Sequence, residues 1–387
     1  MLKEKMLVPQ LRFSEFEGEW KINKLGQIAK FLKGKGISKR DIINDGDNEC
    51  IRYGELYTTY NEVIDSIASK TNVALDVSVL SNENDVIIPS SGETQLDIVT
   101  ASCVLKKGVI LGGDLNIIRT NLNGVFLSYL LNNRKKKDIA KLSQGNSVVH
   151  LYNKQLATLN LNLPTPKEQQ KIANFLSAID NRIQTLEKKK TLLEQYKKGV
   201  MQKIFKQELR FKDEYGKAFP EWEEKKLGEV CSKKSSNISA NKIGENFGEY
   251  IIYGASGVLK KVDFYKEEND YVSIIKDGAG VGRIVYCKGK SSVLGTMEII
   301  KPNSKLNTYF LYCLLENVNF KKYITGSTIP HIYFKDYKKE KCNIPPLEEQ
   351  TKIANFLSAI DISVELVTKK IEHTKTFKKG LLQQMFV

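Results

Sequence analysis

The decapeptide KIANFLSAID occupies Lys171 to Asp180 and recurs without a change at Lys352 to Asp361. The displacement, 352 − 171 = 181 residues, is close to half of the 387-residue chain. The chain is therefore one plan written twice, and any fold must accommodate both copies. Apolar residues then recur every seventh position: Ile172, Ile179, Leu186, Leu193 and Val200 in the first copy, and Ile353, Ile360, Val367, Thr374 and Leu381 in the second, with threonine the one polar member. Phe175, Leu176, Ile183 and Ile204 fill the adjoining positions, as do Phe356, Leu357, Val364, Ile371 and Met385. A seven-residue apolar period is the seam of a coiled coil. The first helix is expected from Pro166 to about Gln207, roughly 60 Å long at 1.5 Å per residue, which suits a spacer better than a core helix.

The helix starts differ slightly. In the first copy Thr165 can cap, Pro166 suits the first helical position, and Glu168 lies three residues after the cap, completing a capping box. The second start, Pro345-Pro346-Leu347-Glu348-Glu349, has the prolines and acids without the hydroxyl. Gly199 and Gly380 sit late in each helix, in KKGV and KKGL. A helical glycine costs about 1 kcal/mol against alanine, so a close backbone approach, a kink or an early C-cap is expected there. Within the decapeptide, Lys171, Asn174, Ser177 and Asp180, with their counterparts Lys352, Asn355, Ser358 and Asp361, interrupt the apolar seam. They are expected to form matched faces for two copies of one partner.

Each helix follows a head. LRF from Leu11, with Trp20 and Leu25-Gly26, returns as LRF from Leu209, with Trp222 and Leu227-Gly228. The expected division is head 1–163, helix 164–206, head 207–344 and helix 345–387. Short β-rich runs broken by Gly and Ser turns make each head a compact mixed α/β (α+β) domain. FLSYLLNNRKKKDIAKL reads as a short basic helix, answered by YFLYCLLENVNFKKYI. QGNSVVHL is answered by TGSTIPHI, with Gly145 and His150 matching Gly326 and His331 at the same offset. A pseudo-two-fold axis between such halves requires the long helices to run antiparallel, with a head at each end.

A formal charge of +15 points to a polyanionic partner, most simply nucleic acid. The six cysteines, Cys50, Cys103, Cys231, Cys287, Cys313 and Cys342, form no C-x-x-C pair, and the chain has three histidines. Buried free thiols are expected, and no metal site. No apolar run is long enough to cross a membrane, and MLKEKMLVPQ lacks the features of a signal peptide, which favours the cytoplasm.

No catalytic set emerges. DGAGVG, Asp277 to Gly282, lacks the following helix that a nucleotide-binding glycine loop needs; it is expected to form a hairpin or a DNA-facing loop. GKG at Gly34 to Gly36 lacks the phosphate-loop spacing, and isoleucine separates Asn343 from the prolines in NIPPL, so the Asn-Pro-Pro-aromatic motif of amino-methyltransferases is absent. No cofactor is called for. Related basic heads with divergent loops instead suit DNA, read at two separated half-sites. The expected DNA-facing residues are Lys33, Lys35, Ser38, Lys39, Tyr53, Ser90, Ser91, Thr94, Ser147 and His150 in the first head. In the second they are Tyr253, Ser256, Lys276, Arg283, Ser327, Thr328, His331 and Tyr333. Lysines would hold phosphates, and Arg, Ser, Thr and Tyr would reach base edges.

The order head, helix, head, helix, with P-x-x-x-E-Q-x-K-I-A opening each helix, resembles the specificity (S) subunit of type I restriction-modification systems over essentially the whole chain. PTPKEQQKIANFLSAID, PPLEEQTKIANFLSAID, the late KKG and GSTIPHI carry the resemblance. It implies a subunit without catalysis, whose heads are target-recognition domains that each read one part of a split double-stranded DNA sequence. The helices would set the spacing and dock two modification (methyltransferase) subunits, which carry S-adenosylmethionine and methylate adenine. Restriction (translocase and nuclease) subunits would join for ATP-dependent cleavage. The rival readings are a methyltransferase or nuclease with an unrecognised active site, and a coiled-coil scaffold with non-reading heads.

Overall fold

The computed structural model describes residues 7–145 and 148–387. The chain divides into two compact units, Met1–Leu186 with Lys370–Val387, and Glu187–Lys369. In the first unit a five-stranded sheet has the order Ala29–Lys33, Leu115–Thr120, Asp85–Pro89, Ser102–Val104, Val63–Ile64. Its neighbours are antiparallel except the last pair, which is parallel. A smaller sheet of Ser69–Thr71, Asn48–Ile51 and Ile110–Leu111 completes the head. A ribbon pairing Lys21–Lys24 with Asn160–Leu163 ties the head's beginning to its end. Asp85–Pro89 and Ser102–Val104 are buried throughout, as central strands covered on both faces must be. The helix Gly124–Asn132 covers the sheet, capped by the Asn123 side chain, which accepts from the Phe126 N–H.

The second unit repeats the plan. A four-stranded sheet has the order Cys231–Ser235, Met297–Pro302, Tyr271–Ile275, Ile284–Cys287, and a three-stranded sheet holds Gly257–Val262, Tyr250–Gly254 and Ser291–Val293. The ribbon is Glu223–Lys226 with Lys341–Ile344, and Thr308–Glu316 is the covering helix, capped by Asn307. The expected basic helix after Leu122 is in fact two, Gly124–Asn132 and Lys136–Leu142. Asn133 leaves helical geometry, and both its backbone and side-chain N–H groups donate to the Tyr129 carbonyl, closing the first helix before the RKKK run.

The long helices run over Pro166–Phe205 and Leu347–Gln384; forty residues at 1.5 Å give about 60 Å for the first. Their expected apolar seams are buried at both ends of each helix: Ile172, Ile179 and Ile204 in the first, Ile353, Ile360, Val367 and Leu381 in the second. Thr374 is tolerated on the seam because its hydroxyl donates to the Lys370 carbonyl one turn back. The capping box is only half formed. Thr165 Oγ1 accepts from the Glu168 N–H, but the Glu168 carboxylate turns to Arg12 and Trp20 rather than back to the cap. Neither late glycine is a C-cap, since the helices continue to Phe205 and Gln384; the first is closed by Gln207 in the left-handed region. Nor do they permit a close approach within the chain, as a Cβ on Gly199 or Gly380 would meet nothing within 4 Å.

Each unit also contains the end of the other repeat's helix. In the first, Leu381, Met385, Phe386 and Val387 join the core of Trp20, Phe126, Ile172 and Leu176. The Leu11 N–H donates to the Gln384 carbonyl, and Asn162 Nδ2 donates to the Val387 carbonyl. Lys378 lies beside Asp180, so 378–387 runs back against 162–180 and the helix segments are antiparallel in this unit. In the second unit Ile204 joins Trp222, Phe310, Ile353 and Leu357, and Lys197 pairs with Asp361. Phe386 against Trp20 and Phe126 is matched by Phe205 against Trp222 and Phe310, again 181 residues apart. All six cysteines are buried and free, and burial raises the thiol pKa, to about 12 for Cys103 and Cys231.

Candidate nucleic-acid interface

Strand register decides which loops share an edge. In the first unit Lys33 pairs with Asn116, and the neighbouring Leu115 pairs with Pro89. The segments that follow Lys33 and Pro89 therefore leave the sheet from the same end. Lys33, Lys35, Ser38 and Lys39 are all exposed there. Ser38 caps the short turn Lys39–Asp41, its hydroxyl accepting from the Arg40 N–H, while first its own N–H and then its hydroxyl donate to the Asp41 carboxylate and hold that carboxyl below its usual range. Ser91 and His150 are cross-strand partners in a short ribbon. The His150 ring stacks on Tyr152, Tyr57 donates to the Ser91 carbonyl at 3.0 Å, and Tyr53 meets Tyr57 edge-on. Tyr53, Ser91 and His150 are thus brought together, with Tyr57 and Tyr152 as aromatic neighbours.

Two expected contacts point elsewhere. Ser90 is buried, its hydroxyl facing Asp114, because the strand ending at Pro89 carries it into the core. Thr94 is exposed but engaged with Asp97, closing a local turn. Ser147 lies outside the described residues.

The second unit follows the same rule. Ser235 pairs with Glu298, and the adjacent Met297 pairs with Ile275, so the loops after Ser235 and Ile275 share an edge. DGAGVG joins the antiparallel strands Tyr271–Ile275 and Ile284–Cys287 as a hairpin, as expected. Gly278, Gly280 and Gly282 all have positive φ, near +80°, a run that only glycine adopts without strain. Asp277 bridges to His331, and the Gly278 N–H donates to the Pro330 carbonyl, which ties this hairpin to GSTIPHI. Arg283 Nη1 donates to the Ala255 carbonyl at 3.1 Å, which ties it to the turn holding Ser256. Ser256, Ser327, Thr328 and Tyr333 are exposed, while Lys276 and His331 are half-buried around Asp277. Tyr253 is the exception: it is buried, its hydroxyl accepts from the Lys288 N–H, and burial raises its pKa. Its strand is covered on both sides, with Tyr253 in one apolar cluster and the neighbouring Ile252 in another.

On the helix side the decapeptide residues have duties inside the chain. Asp180 accepts from the Tyr129 hydroxyl and pairs with Lys378 at 2.7 Å; Asp361 accepts from Tyr309 and pairs with Lys197 at 2.6 Å. Burial first, then the neighbouring carboxylate, raises the pKa of both tyrosines. Lys171 pairs with Glu15 and covers Phe13, whereas Lys352 donates to the Lys212 carbonyl and covers Phe219. Asn174 and Asn355 are exposed, and Ser177 and Ser358 are half-buried beside them. They line matching grooves, one with Asn123, Gln170 and Gln184, the other with Asn307, Ile362 and Glu365.

The Glu-Gln of each helix opening anchors head to helix, a role not foreseen from sequence. Arg12 donates to both Glu168 carboxylate oxygens at 2.8 Å, and Trp20 Nε1 donates to the same group. Arg210 and Trp222 hold Glu349 in the same way. Both carboxylates are almost fully buried, and each raises the pKa of its arginine by hydrogen bonding. Gln169 accepts from the Asn123 N–H and donates to the Pro164 carbonyl; Gln350 does so with Asn307 and Pro345. Arginine, tryptophan and glutamate recurring together was the signal available.

The type I restriction modification DNA specificity domain matches residues 17–195 and 220–375. The chain belongs to that family. It is 26% identical to the type I restriction enzyme MjaVIII specificity subunit of Methanocaldococcus jannaschii, over 96% of this chain and 94% of that protein. The crystal structure of a type I restriction-modification S subunit from M. genitalium shares the fold, with TM-score 0.71 and 19% identity, covering 98% of this chain and 99% of that one. A chain from a structure on complex assembly and conformational transition of the type I R-M system aligns with TM-score 0.52, 18% identity and coverage of 95% and 96%. As a type I specificity family member, the chain is a DNA-recognition subunit, and the two matched segments coincide with its two repeats. Among the described residues no helix is long and apolar enough to cross a membrane.

Proposed function

We propose that this chain reads a two-part double-stranded DNA sequence, with residues 1–163 and 207–344 each taking one half-site. Segments 164–206 and 345–387 act as spacers and hold two modification subunits. The observation that carries this reading is the contrast within each unit: exposed divergent loops leave one edge of the sheet, while repeated residues line the helix groove. Lysines on the loops neutralise phosphates, and Arg, Ser, Thr and Tyr reach base edges. The chain supplies no catalytic group; methyl transfer to adenine belongs to the modification subunits, and cleavage to restriction subunits that join the cytoplasmic complex. The grooves at Asn174 and Asn355 receive the two modification subunits.

The test is genome-wide mapping of methylated adenine in cells carrying the chain and its modification partner, against cells lacking the chain alone. A split motif that requires the chain, and one half of which changes when residues 207–344 are exchanged, is the expected result. Methylation unchanged by the deletion, or methyl transfer by the purified chain alone, would overturn the reading.

A further inference from the structure

The second unit, 187–369, contains two arginines, Arg210 and Arg283. Arg210 is committed to Glu349 and to the carbonyls of Phe219 and Pro220. Among the arginines of that unit, Arg283 alone is left to meet DNA. It is exposed and stands at the foot of the glycine hairpin. The hairpin is closed around it, with the Ile275 N–H donating to the Arg283 carbonyl, the Gly282 N–H to the Ile275 carbonyl, and the Arg283 N–H to the Gly280 carbonyl. The side chain is oriented too, because Nη1 donates to the Ala255 carbonyl. A methyl group on Gly280 would lie 3.6 Å from Cζ and Nη2, so glycine there leaves that flank of the guanidinium open.

Arg12, Arg119 and Arg210 each grip a carboxylate that is almost fully buried. Arg283 has none among the described residues: the nearby acid of its hairpin, Asp277, faces Lys276 and His331. With Nη1 held, the Nε–Nη2 edge presents two parallel donors. That pattern matches the paired acceptors O6 and N7 of guanine in the major groove, the commonest specific side-chain contact to a base.

We infer that Arg283 reads a guanine in the half-site taken by the second head, through its Nε–Nη2 edge. The inference rests on the DNA-reading function proposed above and adds the base and the residue. A phosphate contact is the competing use of the same group, and it predicts a different pattern: weaker binding that is uniform across sequences.

The experiment uses the full chain assembled with its modification partner. Adenine methylation is mapped genome-wide for the natural chain, Arg283→Lys and Arg283→Ala, and binding is measured on duplexes in which each guanine of the motif is replaced in turn by 7-deazaguanine, which lacks the N7 acceptor. The expected result is one guanine of one half-site becoming degenerate in both variants, the other half-site unchanged. The same guanine should lower the natural complex's affinity roughly 5- to 150-fold when replaced, with little further loss in the Arg283→Ala complex. If a variant does not assemble, the 7-deazaguanine series on the natural complex decides alone, and indifference at every guanine of the half-site read by residues 207–344 overturns the inference. Both variants retaining the motif with uniformly weaker methylation also overturns it, in favour of phosphate. Absence of any chain-dependent motif in the natural complex is a different outcome, and would refute the function itself.

Discussion

The two units use one set of contacts on the helix side and two sets on the loop side. Glu168 and Glu349 hold the same Arg–Trp pair, and Gln169 and Gln350 staple the same helix cap to the same prolyl carbonyl. At the sheet edge, the first unit brings Tyr53, Tyr57, Ser91 and His150 together, whereas the second brings Arg283, Asp277 and His331 around three glycines. The aspartate–tyrosine contact falls between these extremes. Tyr129 and Tyr309 serve Asp180 and Asp361, but with Phe126 aligned on Phe310 they stand one helical turn apart. The geometry at the carboxylate is kept while the position that supplies the hydroxyl has moved. Packing around a fixed helix admits few solutions, and an exposed loop admits many.

Substitutions can break or sharpen that comparison. The largest effect is expected from Glu168→Ala and Glu349→Ala, each leaving an arginine and an indole without their acceptor, at a cost of about 3–5 kcal/mol. Urea unfolding of the two variants should show similar losses; a large loss in one alone would break the parallel between the units. Tyr129→Phe and Tyr309→Phe remove a hydrogen bond to a charged group and should each cost about 1.5–3 kcal/mol, despite the shifted position of the hydroxyl.

Gly199→Ala and Gly380→Ala should each raise stability by about 1 kcal/mol, since the added methyl meets nothing within the chain. If either variant loses binding to the modification subunit while gaining stability, the open space is the partner's. The smallest effect distinguishes the units by pH. Glu267 is buried, which favours its neutral form, but hydrogen bonds from Lys234 and Lys301 outweigh burial and hold its pKa below the ordinary 4.5. A carboxylate lowered on folding stabilises the protein above its unfolded pKa and ceases to do so as pH falls through the folded value. Glu267→Gln should therefore flatten the acid loss of stability in the second unit by about 1 kcal/mol or less, read by amide exchange of that unit from pH 6 downwards.

The helices, the doubled plan and the strand-rich heads were legible because period and repetition are local properties of a sequence. The anchoring of Glu168 by Arg12 and Trp20 was not, because those partners lie 156 and 148 residues away. Recurrence of all three residue types near corresponding places was visible, yet nothing local joined them. Ser90 and Tyr253 show the opposite failure: in sequence they flank turns, and burial was decided by where the strand before Ser90 ended and by the packing of both sides of the strand that holds Tyr253. The shared loop edge emerged only from strand order and direction, which in the first unit bring together segments more than fifty residues apart in sequence.

Completion of the first unit by Leu381, Met385, Phe386 and Val387 has a consequence for synthesis. Between Leu186 and Lys370 the ribosome must add the 183 residues 187–369, which at 5–20 residues per second takes roughly 10–40 s. Until then Trp20 and Phe126 lack the aromatic lid that Phe386 supplies. The nascent first unit waits with apolar surface uncovered, while the second, whose residues are contiguous, can close as it emerges. The unit made first is the one finished last.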